Sequence, residues 1–264
     1  MIPLIGCLLV SAQGFHAPQA ETELVPSVTS ITPGVTFQIA LHMKMAPGWH
    51  SYYSNPGESG MATKIVWDLP KGFKAGPIKW PMPKRIEVGG VAQFVYEHEV
   101  WLVTDISTPS KYWNTQRPLP ILANVSWLLC SEVCVPQKSK LYVNVPDESG
   151  YTRMNPAFTP AANAIVDPAK HEGLVASVRS GGPVTLSINR HTKQPARVRF
   201  FPADATYFGA APAAVKATET GISLSIPLST YASSTPNRLT GILVIPDSGA
   251  KGGAEWIDIP VKKH

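Results

Sequence analysis

The segment V-T-F-Q-I-A-L at positions 35–41 alternates large apolar side chains with polar or small ones along its whole length. In an extended chain, one face of this segment would carry Val35, Phe37, Ile39 and Leu41. A period of two residues is typical of a β-strand that has one face in a core and the other toward solvent. The segment therefore predicts a half-buried strand.

Similar runs recur along both halves of the chain. In the first half they are K-I-V-W-D-L-P (64–70), V-W-L-V-T-D-I (100–106), I-L-A-N-V-S-W-L-L (121–129) and K-L-Y-V-N-V-P (140–146). In the second half they cover 183–188, 196–201, 222–228, 240–246 and 256–261. The 26 prolines lie mainly at the ends of such runs, where a missing N–H does least harm. Short strands without helical patterns between them predict an all-β fold of antiparallel sandwiches.

The alternating pattern is interrupted once, from residue 147 to residue 172. Within this interval Thr159-Pro160 fits the start of a short helix that would run to Ile165, because proline is well placed at the first helical position. We therefore predict two β-sandwich domains, at 21–148 and 173–264. A proline-rich linker with a short helix, at 149–172, would join them.

The N-terminus predicts export. An apolar run is followed by Val10-Ser11-Ala12, which fits the small-x-small rule of a signal-peptide cleavage site. We therefore expect residues 1–20 to be a secretory signal peptide. No later segment reaches the roughly 18 apolar residues that a membrane helix needs. The exported chain would keep two cysteines, Cys130 and Cys134, in an oxidising compartment.

The charge of the chain argues against a nucleic-acid partner. The formal net charge is +5, and the basic residues are scattered, with no run beyond Lys262-Lys263. Phosphate binding needs a concentrated basic face with stacking aromatic side chains beside it.

The segment W-L-L-C-S-E-V-C-V-P (127–136) carries the most chemical information. A disulfide that closes about five residues would contribute roughly 2 kcal/mol, against about 4.7 for a hundred-residue loop, so this pair would be a poor structural staple. Two thiolates also suit Cu(I), with Met43, Met45 and His50 as candidate helper ligands.

Redox chemistry fits the cysteine spacing best, although a local staple and a copper site stay open. Closely spaced cysteines form a small ring that is easier to reduce than a long-range bridge. Lys138 and Lys140 just downstream would lower a thiol pKa, whereas Glu132 between the cysteines would raise it.

Four motifs in order resemble the N-terminal periplasmic domain of the DsbD family of thiol:disulfide interchange proteins, which includes the ScsB copper-tolerance branch. They are G-W-H-S-Y-Y-S-N-P-G-E-S-G (48–60), I-V-W-D-L-P-K-G-F (65–73), I-K-W-P-M-P (78–83) and the cysteine segment. The resemblance covers about residues 30–148. Residues 173–264 look more loosely like the second β-domain of longer members.

The resemblance implies an immunoglobulin-like fold and a protein-disulfide reductase that needs no cofactor. Cys130 and Cys134 would be the redox pair, with Cys134 as the more reactive thiolate. Electrons would come from a thioredoxin-like or membrane electron-transfer protein and pass to periplasmic proteins that carry disulfides. Members of the family shield the disulfide with an aromatic cap loop, for which Phe94 and Tyr96 are our candidates.

Two features differ from the best-known members, and one motif has two interpretations. Those members also carry a transmembrane electron-transfer domain and a C-terminal thioredoxin domain, which this sequence does not contain, and their cysteines are further apart. We therefore expect a separate protein to supply electrons. Asn55-Pro56-Gly57 would be either a substrate loop or a tight turn whose glycine has a positive φ.

Overall fold

The computed structural model describes residues 20–111, 119–146, 153–170 and 172–264. The predicted signal peptide therefore lies almost entirely outside the described residues. None of the helices in these ranges has the length and hydrophobicity of a membrane span.

Strands dominate the described chain, so the predicted all-β class is confirmed. Eleven of them precede the linker: β1 Glu21–Pro26, β2 Val28–Ser30, β3 Thr36–Lys44, β4 His50–Gly57, β5 Lys64–Asp68, β6 Lys74–Lys79, β7 Lys84–Val88, β8 Val91–Glu97, β9 Glu99–Ser107, β10 Leu119–Cys130 and β11 Cys134–Val145. The linker contains β12 Arg153–Met154 and helix α1 Thr159–Ala164. The later strands are β13 Leu174–Val178, β14 Val184–Ile188, β15 Arg199–Pro202, β16 Ala214–Thr218, β17 Gly221–Ile226, β18 Arg238–Val244 and β19 Ala254–Lys263.

Apart from β2, the strands before the linker form two antiparallel sheets. One has the order β1-β3-β9-β6, and the other has the order β11-β10-β4-β8-β7 with β5 also paired to β10. As the alternation predicts, Phe37, Ile39 and Leu41 of β3 are buried in the core between the sheets. Side chains from β10 of the facing sheet, including Trp127 and Leu129, join the same cluster.

The strands after the linker have the order β15-β18-β19-β13-β14-β17-β16 around a second core. One pairing differs from the antiparallel pattern expected from sequence, because β13 runs parallel to β19. The reason lies just before β13, where the backbone of 167–169 already pairs with Trp256: its N–H donates to Asp167 and its C=O accepts from Ala169. The chain therefore enters this half alongside β19.

The linker packs against the first sandwich. Asn155 donates its side-chain amide to the carbonyl of Pro26, and β12 pairs with β2. The predicted helix is present and ends at Ala164, one residue earlier than expected. Phe158 and Ala161 bury Ala40 on the outer face of β3. This face of the first sheet is therefore covered.

The turn motif Asn55-Pro56-Gly57 connects the two halves of the molecule. Asn55 is fully buried, donates from Nδ2 to the Phe208 carbonyl (2.9 Å) and accepts at Oδ1 from the Gly57 N–H (2.9 Å). A Cβ on Gly57 would lie 2.7 Å from the Cβ of Ala210, and the φ of Gly57 is +90°. The turn interpretation is therefore supported, and the turn has a structural use that sequence did not indicate.

Replacing Asn55 with alanine tests the contact between the halves. Asn55→Ala removes the partner of a buried carbonyl, so we expect a loss of about 1–3 kcal/mol in unfolding free energy. The measurement is the denaturant unfolding midpoint followed by circular dichroism. Asn124→Ala on the exposed face of β10 is the matched control and should change the midpoint little. Equal effects of the two substitutions would contradict the assignment.

Candidate functional site

Cys130 and Cys134 form a disulfide at the tip of the β10–β11 hairpin. Cys130 is the last residue of β10, Cys134 is the first residue of β11, and the two are directly opposite each other in the register. Residues 131–133 make the turn, in which the Ser131 N–H donates to the Val133 carbonyl (3.1 Å). The Cα atoms of the two cysteines are 4.1 Å apart. The hairpin register alone therefore places the two side chains where they can form the disulfide.

The two sulfur-bearing residues differ in exposure. Cys130 is 2% exposed, whereas Cys134 lies on the exposed side of β11. An attacking thiolate must reach a sulfur along the S–S axis, so access decides which sulfur it attacks. Attack from outside would fall on Cys134, and Cys130 would then leave as a buried thiolate.

Cys130 belongs to a small apolar cluster on the outer face of the second sheet. The cluster contains Tyr52 and Val95, with Ile86 and Leu128 packed against it. Side chains alternate across a sheet, so Tyr53 and Trp127 point into the sandwich core while Tyr52 and Cys130 point outward. We call these five residues the disulfide cluster.

The loop after β4 covers the disulfide cluster. The backbone of Gly60 lies against the Tyr52 ring so closely that a Cβ there would be 2.2 Å from the ring, and the φ of Gly60 is +114°. Only glycine fits a position with both restrictions. The last glycine of N-P-G-E-S-G therefore allows the loop to lie against Tyr52, which packs in the same cluster as Cys130.

The cap-loop assignment of Phe94 and Tyr96 is not supported by their positions. Both side chains are buried in the sandwich core, where Phe94 stacks edge-to-face on Phe201 and Tyr96 Oη donates to the Pro81 carbonyl (2.8 Å). The physical reason is the period of two along β8. Val95, between them, is the residue that faces the disulfide.

Two of the three proposed copper ligands, Met43 and Met45, are not brought together with the cysteines. Met43 and Met45 are buried in the sandwich core, and the Thr63 hydroxyl lies 4.0 Å from Met43 Sδ. They belong to a different cluster from Cys130. In the part of the chain that the structure describes, no group of three or more His, Cys, Asp or Glu side chains is arranged to hold a metal ion.

His50, the third proposed copper helper, lies beside the disulfide instead. It is the direct cross-strand partner of Cys130, so the two side chains share one face of the sheet. The imidazole is 8% exposed, and its Nε2 is 3.3 Å from Tyr52 Oη. Burial lowers the pKa of His50, an effect that Glu97 and Gln93 oppose in smaller measure. A neutral imidazole is therefore expected next to Cys130 at neutral pH.

A shallow pocket opens beside the disulfide. Its volume is about 420 Å³, and its lining includes Trp49, His50, Ile86, Val88, Ser131 and Glu132. Two apolar side chains near it are exposed, Val88 at 49% and Val133 at 57%. The pocket and the hairpin turn therefore each carry an exposed apolar side chain near the disulfide.

The comparisons with known proteins agree with this site. The family model described as "Thiol:disulfide interchange protein DsbD, N-terminal" matches residues 19–146, a range that contains both cysteines and the whole disulfide cluster. Residues 19–146 belong to the DsbD N-terminal family. No curated protein sequence matches the chain.

Solved structures extend the similarity beyond the DsbD N-terminal segment. The N-terminal periplasmic domain of ScsB from Proteus mirabilis is 18% identical, with 93% of this chain and 94% of that one covered at a TM-score of 0.65. The reduced DsbD N-terminal domain of Neisseria meningitidis is 18% identical over 50% of this chain and 90% of its own, with a TM-score of 0.28. The same Neisseria domain in complex with the PilB N-terminal domain is 15% identical over 48% and 89%, with a TM-score of 0.29. The ScsB match shows that the immunoglobulin-like fold is shared, with both halves of the chain included.

We predict that the shielding of Cys130 by Tyr52 in this DsbD N-terminal domain depends on Gly60. Gly60→Ala should displace the Tyr52 ring, because its Cβ cannot fit, and should expose Cys130. We expect faster reduction of the disulfide by dithiothreitol and a loss of about 2–4 kcal/mol in unfolding free energy, which combines backbone strain with overpacking.

Gly90→Ala is the matched control for Gly60→Ala. Gly90 also has a positive φ, +81°, but nothing lies within 4 Å of a Cβ there. The unfolding free energy of this variant should fall by only about 1–2 kcal/mol, the cost of backbone strain without overpacking. Reduction at an unchanged rate in Gly60→Ala would show that the loop does not shield the disulfide.

Proposed function

We propose that this chain is an exported thiol–disulfide exchange protein that accepts electrons through Cys130 and Cys134 and reduces disulfides of periplasmic partner proteins. The observation that carries the proposal is the disulfide at an exposed hairpin tip, with one accessible and one buried sulfur, in a DsbD N-terminal domain. The two-domain division at 21–148 and 173–264 and the periplasmic location belong to the same proposal.

The exposure difference assigns an order to the thiol chemistry. A donor thiolate attacks Cys134 Sγ, the bond between the cysteines breaks, and Cys130 leaves as a thiolate. A second donor thiol then closes the donor disulfide and releases Cys134, so two electrons have entered the pair. In the forward reaction the Cys134 thiolate attacks a substrate disulfide, and Cys130 resolves the mixed disulfide and restores the bond.

The surface beside the disulfide suits a protein partner. Val133 lies in the hairpin turn, and Val88 and Trp49 lie around the shallow pocket. A partner that covers these side chains would bury apolar surface at the moment when its own thiol reaches Cys134. A thioredoxin-like or membrane electron-transfer protein is the donor that we propose, and disulfide-bearing exported proteins are the acceptors. No observation favours the copper alternative over this function.

Single cysteine variants should capture partners unequally. In a Cys7→Ser background, Cys130→Ser leaves an accessible Cys134 that can form a mixed disulfide and cannot be resolved. We expect it to capture a thioredoxin-like or membrane-bound partner in the native host, as a band that disappears with a reductant. Cys134→Ser leaves only the buried Cys130 and should capture several-fold less, while the double variant captures nothing.

The redox potential of the wild-type pair provides an independent check. Free thiols are trapped after equilibration at graded glutathione ratios, and the potential is calculated from the reduced fraction. A value near those of exchange proteins, between about −120 and −270 mV, would support the proposal. A value well below about −300 mV, or the absence of any captured partner from Cys130→Ser, would overturn it.

A further inference from the structure

The strand register places an acid–base group next to the cysteine that leaves. His50 begins β4 and Cys130 ends β10, and these two residues are the pair through which β4 and β10 are joined. Directly opposed residues in an antiparallel pair have Cβ atoms about 4.5–5.5 Å apart on one face. The Cβ atoms of His50 and Cys130 are therefore neighbours on one face of the sheet, and the imidazole contacts Tyr52, which packs in the same cluster as Cys130.

Opening the disulfide creates a charge that this location does not favour. The electron pair of the broken bond goes to Cys130 Sγ, which lies among Tyr52, Val95 and Leu128. Burying an unpaired thiolate is costly and raises the pKa of its thiol. A nearby group that takes up a proton would remove this penalty.

Among the titratable and charged groups near Cys130, His50 is the one suited to take up this proton. Burial raises the pKa of Tyr52, so the phenol stays protonated. Glu97, opposite His50 on β8, is negative and is bound to Lys84 of β7 (2.7 Å). Glu132 lies at the rim of the pocket and would repel a thiolate.

We propose that His50 is the proton carrier of Cys130. This inference rests on the proposed function. When a donor thiolate attacks Cys134 and the disulfide breaks, the new Cys130 thiolate is balanced by a proton that His50 takes from water through the open pocket. In the reverse step the paired Cys130 thiolate attacks the mixed disulfide at Cys134, the substrate thiolate leaves, and His50 returns its proton to water through the same pocket. Tyr52 holds the imidazole in place through Oη.

The first test measures Cys130 directly. The protein carries Cys7→Ser and Cys134→Ser, so that Cys130 is the single thiol, and its ionisation is followed by the ultraviolet absorbance of the thiolate. Adding His50→Gln should raise the apparent pKa of Cys130 by about one unit, because the imidazolium–thiolate pair is lost. His191→Gln, an exposed histidine of the second half, is the matched control and should change nothing.

The second test needs no substitution at His50. In the Cys7→Ser protein, the His50 ring resonances are titrated by NMR in the oxidised and the reduced form. The imidazole pKa should rise on reduction, because a thiolate then forms beside it. Tyr52→Phe should keep this rise but slow the resolution of a glutathione mixed disulfide several-fold, since the ring is held less firmly.

The outcomes separate this inference from the proposed function. If the wild-type pair exchanges electrons but the Cys130 pKa in His50→Gln is unchanged, His50 is not the proton carrier and the exchange function stands. If the His50 imidazole titrates identically in both redox forms, the inference is likewise overturned, whatever the folding of the variants. A wild-type disulfide that no partner reduces would instead overturn the proposed function.

Discussion

The alternation of side chains across the sheet that contains β4, β8 and β10 organises this molecule. One face of these strands supplies Tyr53, Phe94 and Trp127 to the sandwich core. The other face carries Tyr52, Val95 and Cys130. The same three strands therefore support the core and the disulfide, and a shift of one residue in any of them would exchange the two sets.

Much of the fold could be predicted from sequence, because the period of two is a local property. The buried face of β3, the all-β class, the short helix and the cysteine pair at the end of an apolar run were all visible in single segments. The family was identifiable for the same reason, since its motifs are local. The structure assigns two residues of the first of those motifs to definite tasks, as Asn55 joins the halves and Gly60 covers Tyr52.

The features that sequence did not indicate depend on contacts between distant segments. Phe94 and Tyr96 were chosen as cap residues because they are aromatic. Whether a side chain of β8 faces the core or the disulfide depends on which face of the strand it occupies. From sequence, His50 was considered as a copper helper together with Met43 and Met45. Its pairing with Cys130 could not be predicted, because it depends on a single contact between two distant strands, β4 and β10. The parallel pairing of β13 with β19 and the packing of α1 on β3 likewise involve no local pattern.

The electrostatic character of the site follows from unequal burial within one disulfide. A symmetric, fully exposed pair would let an incoming thiol attack either sulfur. Here Cys130 is closed off by Tyr52 and Val95, so the order of bond making and breaking is fixed by access before any difference in thiol acidity contributes. Acidity then matters at the buried sulfur, where solvent cannot stabilise charge.

The length of the β10–β11 hairpin has a consequence for the reduced protein. Each strand has 12 residues, and the register is unbroken from Leu119 opposite Val145 to Cys130 opposite Cys134. Once the covalent bond is gone, this ladder of backbone hydrogen bonds still holds the two thiols face to face. When a partner is joined to Cys134 through a mixed disulfide, attack by Cys130 on that bond then has a high effective molarity, because little freedom remains to be lost when the Cys130–Cys134 bond re-forms and the partner thiolate leaves. The hairpin thereby favours a short lifetime for any mixed disulfide that a partner forms at Cys134.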